Sequence, residues 1–377
     1  MRLAFTYIAE AYQLYHAASV MFELMGRDGV EVDVFHIDPA TQDHLDKLAQ
    51  AHGVPPVQST YLRAGFLGGA IQSAKRLGFA KPQVLAKNEK KLAGYDAVVS
   101  TEDGIARLFG NRPLSQRPAR ILITHGAAGR DFPSYANRAR CDLVLVKGPA
   151  DVASHHAKGF GESSRILSAG YPKSASIRRL ARKRRPLFDN DNPIVLYNPH
   201  KEKTQRSWDR FLGALLDGFR ADRSRNLIIA PHIKMFRRHS ERHRDRLRAM
   251  SDSTIHVDPG SFASLDNTYT EAADIYVGDV SSQLYEFLTR PRPCVFLNAH
   301  RVDWRNNSHY SMWKLGEVID SPAELMPAIR RAEEVHFRYR DLQIAMTAEA
   351  LGDTSDEVPP RAADQILQFL SRQDAKP

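Results

Sequence analysis

An α/β fold in two halves is the class this sequence predicts, and three observations predict it. Short apolar runs of strand length recur along the chain, separated by stretches long enough for crossover helices. The alternation pauses in a basic, turn-rich segment between Lys173 and Pro193 and then begins again. At 377 residues the chain is long enough for each half to bury its own core.

Taken in order, Leu3 to Tyr7 reads as a strand, Ala11 to Met25 as an amphipathic helix closed by Gly26, and Val30 to Ile37 as the next strand. Glu10 and His16 sit near the first strand-to-helix turn, where each alone reads more simply as structural. Leu62 to Phe79 is weakly amphipathic, with Arg63, Lys75 and Arg76 on its polar side and glycines that argue against a firm helix. Strands follow at Ala97 to Ser100, at Ile121 to Thr124 leading into His125-Gly126, at Leu143 to Val146, and at Ile166-Leu167 leading into Gly170-Tyr171-Pro172-Lys173. The basic segment ending in Arg185-Pro186 and the turn Asp189-Asn190-Asp191-Asn192-Pro193 mark the boundary. That turn precedes a strand and has no further ligands nearby, so a solvated turn is preferred to a metal site.

The second half restarts with Ile194 to Tyr197, then Asn198-Pro199-His200-Lys201. A helix from about Ser207 to Phe219 leads to a strand at Leu227 to Ala230, which ends at Pro231-His232, and Thr254 to Val257 supplies another. Pro322 to Ala332 and Pro360 to Ser371 are helical by pattern, the latter aligning Ala363, Ile366, Leu367 and Leu370. The expected division is residues 1–178, residues 190–345, and a C-terminal helical segment over residues 346–377. Three strands thus run into a histidine, His125, His200 or His232. In open α/β sheets the carboxyl ends of strands line the ligand crevice.

The stretch from Ala273 to Asn298 carries the densest signal. Ile275 to Val277 is a strand, Gly278-Asp279 breaks it, and Ser281 and Ser282 precede a helix expected from Gln283 to Thr289. Arg290-Pro291-Arg292-Pro293 stops the helix, and Cys294 to Leu297 is the next strand. A helix start offers unpaired N–H groups and partial positive charge, so this βαβ unit suits a phosphate, with the serine hydroxyls as further donors. Glu286 lies one turn deeper, placed to accept from sugar or glycerol hydroxyls. The simpler alternative is that the serines cap the helix and Glu286 stabilises its first turn.

Composition narrows the function classes. Hydrophobic residues at 42% and charged residues at 26% describe an ordinary globular protein, and the cysteines Cys141 and Cys294 lie beside or within apolar runs, as buried thiols do. No run approaches the ~20 apolar residues of a membrane span, and the N-terminus lacks a signal-peptide layout, so a cytoplasmic location is expected. The net charge of +9 calls for anionic partners. Neither basic cluster, Arg178 to Arg185 or Arg237 to Arg248, shows a nucleic-acid module or interleaved aromatics, so no nucleic acid is expected. Both leave room for peripheral contact with an anionic membrane surface.

The ordered motifs resemble those of the CDP-glycerol glycerophosphotransferase family, the enzymes of teichoic-acid synthesis. The family's His-Gly-Thr-Pro motif matches His125-Gly126-Ala127-Ala128, its Gly-Tyr-Pro-Arg segment Gly170-Tyr171-Pro172-Lys173, and its Tyr-Ala-Pro strand end Tyr197-Asn198-Pro199. Its second histidine corresponds to His232, and its Ser-Asp-Tyr-Ser-Ser loop to Gly278-Asp279-Val280-Ser281-Ser282. The chain departs in lacking threonine and proline after His125-Gly126, in carrying Ser174-Ala175 after the Gly-Tyr-Pro segment, and in placing His200 where the family has threonine.

The resemblance implies a GT-B type fold, two Rossmann-like α/β domains facing each other across a cleft, with the acceptor on the first and the nucleotide donor on the second. It implies transfer of a glycerophosphate or similar phospho-alcohol group from a CDP-activated donor to a hydroxyl of a lipid-linked or polymeric envelope acceptor, at the inner face of the cell membrane. His125 and His232 would be catalytic. Ser281, Ser282 and Gly126 would hold donor phosphate, and Glu286 and Asp279 the donor alcohol or ribose. His200, Lys201, Tyr171 and Lys173 are secondary candidates, and no cofactor or metal is implied. A nucleotide-sugar-dependent glycosyltransferase of the same fold is the alternative. A 2-epimerase would need first-domain carboxylates, for which Asp103 and Asp131 are the candidates, and a non-catalytic binding module is the remaining reading.

Overall fold

A computed structural model of the protein describes residues 1–65, 77–125, 135–159 and 165–374. Gly126 to Ala128, Asp131 and most of the Leu62 to Phe79 stretch lie outside the described residues. The chain divides into two compact units, Met1–Lys183 together with Ala348–Pro377, and Arg184–Thr347.

The first unit is built on a seven-stranded sheet: β1 Arg2–Tyr7, β2 Glu31–His36, β3 Ser59–Tyr61, β4 Ala97–Ser100, β5 Ala119–Ile123, β6 Leu143–Val146 and β7 Ile166–Ser168. Every pairing is parallel, and the order is β3-β2-β1-β4-β5-β6-β7. Both faces are buried: Leu3, Phe5 and Tyr7 of β1 enter one core cluster and Ala4 the other. A strand covered on both faces reads as an apolar run, which is why these strands were visible in the sequence. Order reverses between β1 and β4, so their carboxyl ends form the switch point where such sheets bind ligands.

The expected single helix from Ala11 to Met25 is two elements, a 3-10 helix Ala11–His16 and an α-helix Ala18–Met25, separated at Ala17 with φ −133°. Ala11, Gln13, Leu14, Tyr15 and His16 are all buried, so packing on several sides, not an amphipathic stripe, shapes this turn. The terminal helix Val358–Asp374 returns to the first unit, where Ala362, Ala363, Ile366 and Leu370 complete its core. Gly170 permits this return. Its φ is +96°, and a Cβ there would lie 2.6 Å from the Asp353 carbonyl, which accepts the Tyr171 N–H at 2.7 Å.

The second unit has six strands: β8 Ile194–Asn198, β9 Asn226–Ile229, β10 Ile255–Val257, β11 Ile275–Gly278, β12 Cys294–Leu297 and β13 Glu317–Ile319. They are parallel in the order β10-β9-β8-β11-β12-β13, with the switch point between β8 and β11. Helix Trp208–Ala221 covers one face through Trp208, Phe211, Leu215, Leu216 and Phe219, each burial contributing on the order of 2 kcal/mol. The helix after β11 is shorter than the sequence suggested. It spans Gln283–Phe287, because the Arg292 guanidinium donates to the Phe287 carbonyl and replaces a further helical turn. Cys141 and Cys294 are buried free thiols, and burial pushes the Cys141 thiol up to about 12. Among the described residues no helix is long and apolar enough to cross a membrane.

Candidate functional site

In the first unit His125 stands two residues beyond β5, at the switch-point edge. Its Nδ1 lies 2.7 Å from the Thr101 carbonyl, which follows β4. A carbonyl only accepts, so Nδ1 carries the proton and Nε2 holds the lone pair of a base. Burial lowers the His125 pKa; the Glu102 charge and the Thr101 bond oppose this, and Lys147 and Arg138 reinforce it. The imidazole is therefore neutral at pH 7. Glu102 is itself held, accepting from Gln13 Nε2 at 2.9 Å and from Lys81 Nζ at 2.5 Å.

Behind His125 is a buried polar cluster. The His16 ring lies 5.7 Å from that of His125 and 5.8 Å from that of Tyr171. Lys147, directly after β6, donates to Asp151 at 2.8 Å, and burial lowers its pKa against the pull of that carboxylate. His155 donates from Nδ1 to the Asp151 carbonyl at 2.6 Å and accepts from Arg138 at 3.4 Å. Lys173, also buried, begins helix Lys173–Ala181.

In the second unit the switch-point edge is tied together by Asp279. Its Oδ2 accepts the backbone N–H of His200 at 2.8 Å and of Ser207 at 2.9 Å, which fixes the loop after β8 against the loop after β11. Ser207 therefore does not cap its helix through its hydroxyl, which pairs with Tyr197 Oη at 2.8 Å. Asp279 is fully buried, its Oδ1 has no hydrogen-bond partner among the described residues, and burial raises its pKa to about 7 against the two N–H bonds. Gly278 lets β8 and β11 close up here, since a Cβ would fall 2.8 Å from the Asn198 carbonyl.

His200 and His232 lie on this edge with ring centroids 6.2 Å apart. The Nδ1 of His200 accepts the Glu202 N–H at 3.1 Å, and the Nδ1 of His232 accepts the Lys234 N–H at 3.1 Å. Each Nδ1 is thus unprotonated and each Nε2–H is a donor, the opposite tautomer from His125. Burial, then His200, Lys234 and Lys201, hold His232 down at about 4, so it donates while neutral. Ser281 is buried and its Oγ accepts the Gln283 N–H at 3.3 Å, while Ser282 is half-buried and makes no capping bond.

The remaining sequence candidates fall as follows. Glu286 is buried on the short helix, Lys201 is engaged with Glu202 beside His200, and Tyr171 and Lys173 are buried near His16. His125, Tyr171 and Lys173 share the first unit; His200, Lys201, His232, Asp279, Ser281, Ser282 and Glu286 share the second. Sequence reasoning passed over Lys147, Glu102 and Ser207. Lys147 did carry a signal, a lone cation ending the Leu143 to Val146 strand, and the first-unit carboxylate influencing His125 is Glu102 where the sequence drew attention to Asp103. Among the described residues no cluster of ligand side chains suits a metal.

No protein-family model matches the sequence, and no curated protein does. Solved structures match over the whole chain. UDP-GlcNAc 2-epimerase from Neisseria meningitidis, bound to UDP-GlcNAc, is similar at TM-score 0.61 and 10% identity, over 99% of this chain and 100% of that one. The UDP-GlcNAc 2-epimerase from Methanocaldococcus jannaschii gives 0.61 and 14%, over 99% and 100%. The wall teichoic acid polymerase TagF gives 0.63 and 12%, over 100% of this chain and 90% of that one. The fold is GT-B-like. At these identities the likeness establishes the fold alone, and the switch-point edge of each unit is a candidate site in its own right.

Proposed function

We propose that this protein is a transferase using a nucleotide-activated donor, with a CDP-alcohol such as CDP-glycerol as the donor and a lipid-linked or polymeric envelope hydroxyl as the acceptor. The observation that carries this reading is the opposed tautomers of the strand-end histidines. A base with its lone pair on Nε2 belongs with an acceptor hydroxyl, whereas two Nε2–H donors beside a serine loop belong with phosphate oxygens.

In the reaction, His125 Nε2 takes the proton of the acceptor hydroxyl as its oxygen bonds to the β-phosphorus of the donor. The bond from that phosphorus to the bridging oxygen breaks, and cytidine monophosphate leaves with the bonding electrons. His200, His232 and Ser282 donate to the phosphate oxygens, because the Gln283, Leu284 and Tyr285 N–H groups at the start of helix Gln283–Phe287 already donate to Ser281 and Ser282. Because that helix has only five residues, its dipole contributes little and discrete hydrogen bonds carry the binding. Asp279 acts through the backbone, holding the His200 loop against the serine loop. The motif set from His125 to Ser282 and the TagF-like fold support the same reading.

The test is nucleotide release by the purified protein offered CDP-glycerol, other CDP-alcohols and nucleotide sugars, with crude membranes as acceptor. Release of cytidine monophosphate from a CDP-alcohol, lost in His125→Ala, is the expected result. Release of a nucleoside diphosphate from a sugar donor would make the protein a glycosyltransferase, and would replace the phosphoryl step.

A further inference from the structure

A concentration of positive charge follows His232 in the second unit. From Lys234 to Arg248, seven lysines and arginines stand against two acids, a net of +5 within the chain's +9. Helix Glu241–Arg248 buries none of its residues, and its three faces differ. One rests on the unit: Leu247 packs against the core, and the His243 ring lies 5.6 Å from that of the buried Phe236. A second is neutralised within the helix, where Glu241 pairs with Arg244 and Arg248, and Asp245 with Arg248 again. The third carries Arg242 and Arg246, one helical turn and so about 6 Å apart along the axis. Both are exposed, and neither has an ion pair among the described residues. Lys234 and Arg238 continue the same four-residue spacing back toward His232, and they too are exposed and without an ion pair among the described residues. The row starts at the candidate site itself. The Lys234 N–H donates to His232 Nδ1 at 3.1 Å, and the Lys234 charge helps to hold the His232 pKa down.

We infer that Lys234, Arg238, Arg242 and Arg246 form a docking surface for a polyanionic acceptor, a phosphodiester-linked polyol whose repeating phosphates meet the successive cations. Like charges one turn apart on a helix repel, and a chain of phosphates laid along them relieves that repulsion. Two other anionic partners fit this surface less well. None of the exposed large hydrophobic side chains of the described residues falls between Lys234 and Arg248, so the face has nothing to insert into a bilayer. Phe236, the one Phe, Tyr or Trp of the segment, is buried, so no platform is offered to stacked bases. What remains is recognition of a phosphate chain that carries no bases. Its placement follows from the chemistry: the acceptor hydroxyl must reach the donor phosphate beside His232, and the chain behind that hydroxyl then passes along the loop that carries Lys234. The role as acceptor rests on the proposed transfer reaction; the binding of the polyanion does not.

The test is binding of a fluorescently labelled glycerol-phosphate oligomer to the full-length protein, measured by anisotropy over a series of salt concentrations. Saturable binding is expected, at least tenfold weaker in R242Q/R246Q and with a slope of log affinity against log salt that is shallower by about 1.4, the value for two phosphate contacts on a single strand. The control is R338Q/R340Q, which removes the same charge from another exposed part of the second unit and should change affinity less than twofold. Equal losses in the two variants would reduce the effect to net charge and overturn the surface, as would no saturable binding by the wild type. Both variants alter exposed side chains, and an unchanged or higher urea midpoint confirms that each is folded. Vesicles containing phosphatidylglycerol and a single-stranded DNA of equal phosphate count serve as competitors. Tighter binding of the vesicles makes the face a membrane contact, tighter binding of the DNA makes it a nucleic-acid contact, and either overturns the polyol-phosphate assignment. No nucleotide donor enters the measurement, so failure of the transfer reading leaves the result interpretable.

Discussion

The carboxylate of Asp279 accepts the backbone N–H of His200 at 2.8 Å across 79 residues of sequence. One buried side chain therefore sets the position of a loop that begins at the other strand of the switch point. The resemblance implies that Asp279 meets the donor alcohol or ribose; in the structure its Oδ2 receives two backbone donors, and its Oδ1 has no hydrogen-bond partner among the described residues.

Asp279 makes stability depend on pH in an unusual direction. The unfolded carboxyl releases its proton near 3.8, whereas the folded one keeps it until about 7. Between those values the folded state binds more protons than the unfolded, so stability falls as pH rises through the window and levels off above it. The contribution is on the order of 2–4 kcal/mol. Asp279→Asn keeps an acceptor for both N–H groups and removes the titration. Urea midpoints at pH 4.5 and 8 should therefore show the variant gaining on the wild type as pH rises.

In the proposed reaction His125, as the base, would set the acid limb of the rate profile. Its pKa is lowered from 6.5, so kcat/KM should stay level on acidification through neutrality and fall only below pH 6.5. The Glu102 charge raises that pKa, and Glu102→Gln should move the limb further to acid. A limb above pH 6.5, measured by nucleotide release, would contradict the neutral-base assignment.

The two serines should separate structure from binding. Ser281→Ala removes an acceptor of the Gln283 N–H and should cost about 1 kcal/mol of stability, together with donor affinity. Ser282→Ala, which makes no capping bond, should leave the urea midpoint unchanged and weaken donor binding about tenfold. Equal effects of both variants on stability would return Ser282 to a structural role.

Gly278→Ala tests the closeness of β8 and β11. The added Cβ would lie 2.8 Å from the Asn198 carbonyl and 2.9 Å from the Tyr276 hydroxyl, and overpacking of this kind costs about 1–3 kcal/mol. A loss of that size in the urea midpoint, with reduced donor binding, is expected.

The parallel strands were legible because burial on two faces leaves no polar positions, as in Leu143 to Val146 and Cys294 to Leu297. The edge strands Ser59–Tyr61 and Glu317–Ile319 were not, since residues that stay partly exposed carry no apolar run. Histidines at strand ends were readable from position alone, but their tautomers were not. Those depend on Thr101, Glu202 and Lys234, backbone partners that no side-chain pattern reveals. His16 was noticed at the first turn and left as structural, because its surroundings come from β5, β6 and β7, more than 100 residues away in the chain. The break at Ala17 that positions it leaves no glycine or proline in the sequence as a marker.

The most direct measurement is the protonation pattern of the strand-end histidines, read by long-range proton–nitrogen NMR on the histidine-labelled protein at pH 7.5. His125 should be neutral with its proton on Nδ1, and His232 neutral with its proton on Nε2. The same tautomer at both positions, or a charged His125 at that pH, would contradict the division into one base and one phosphate donor.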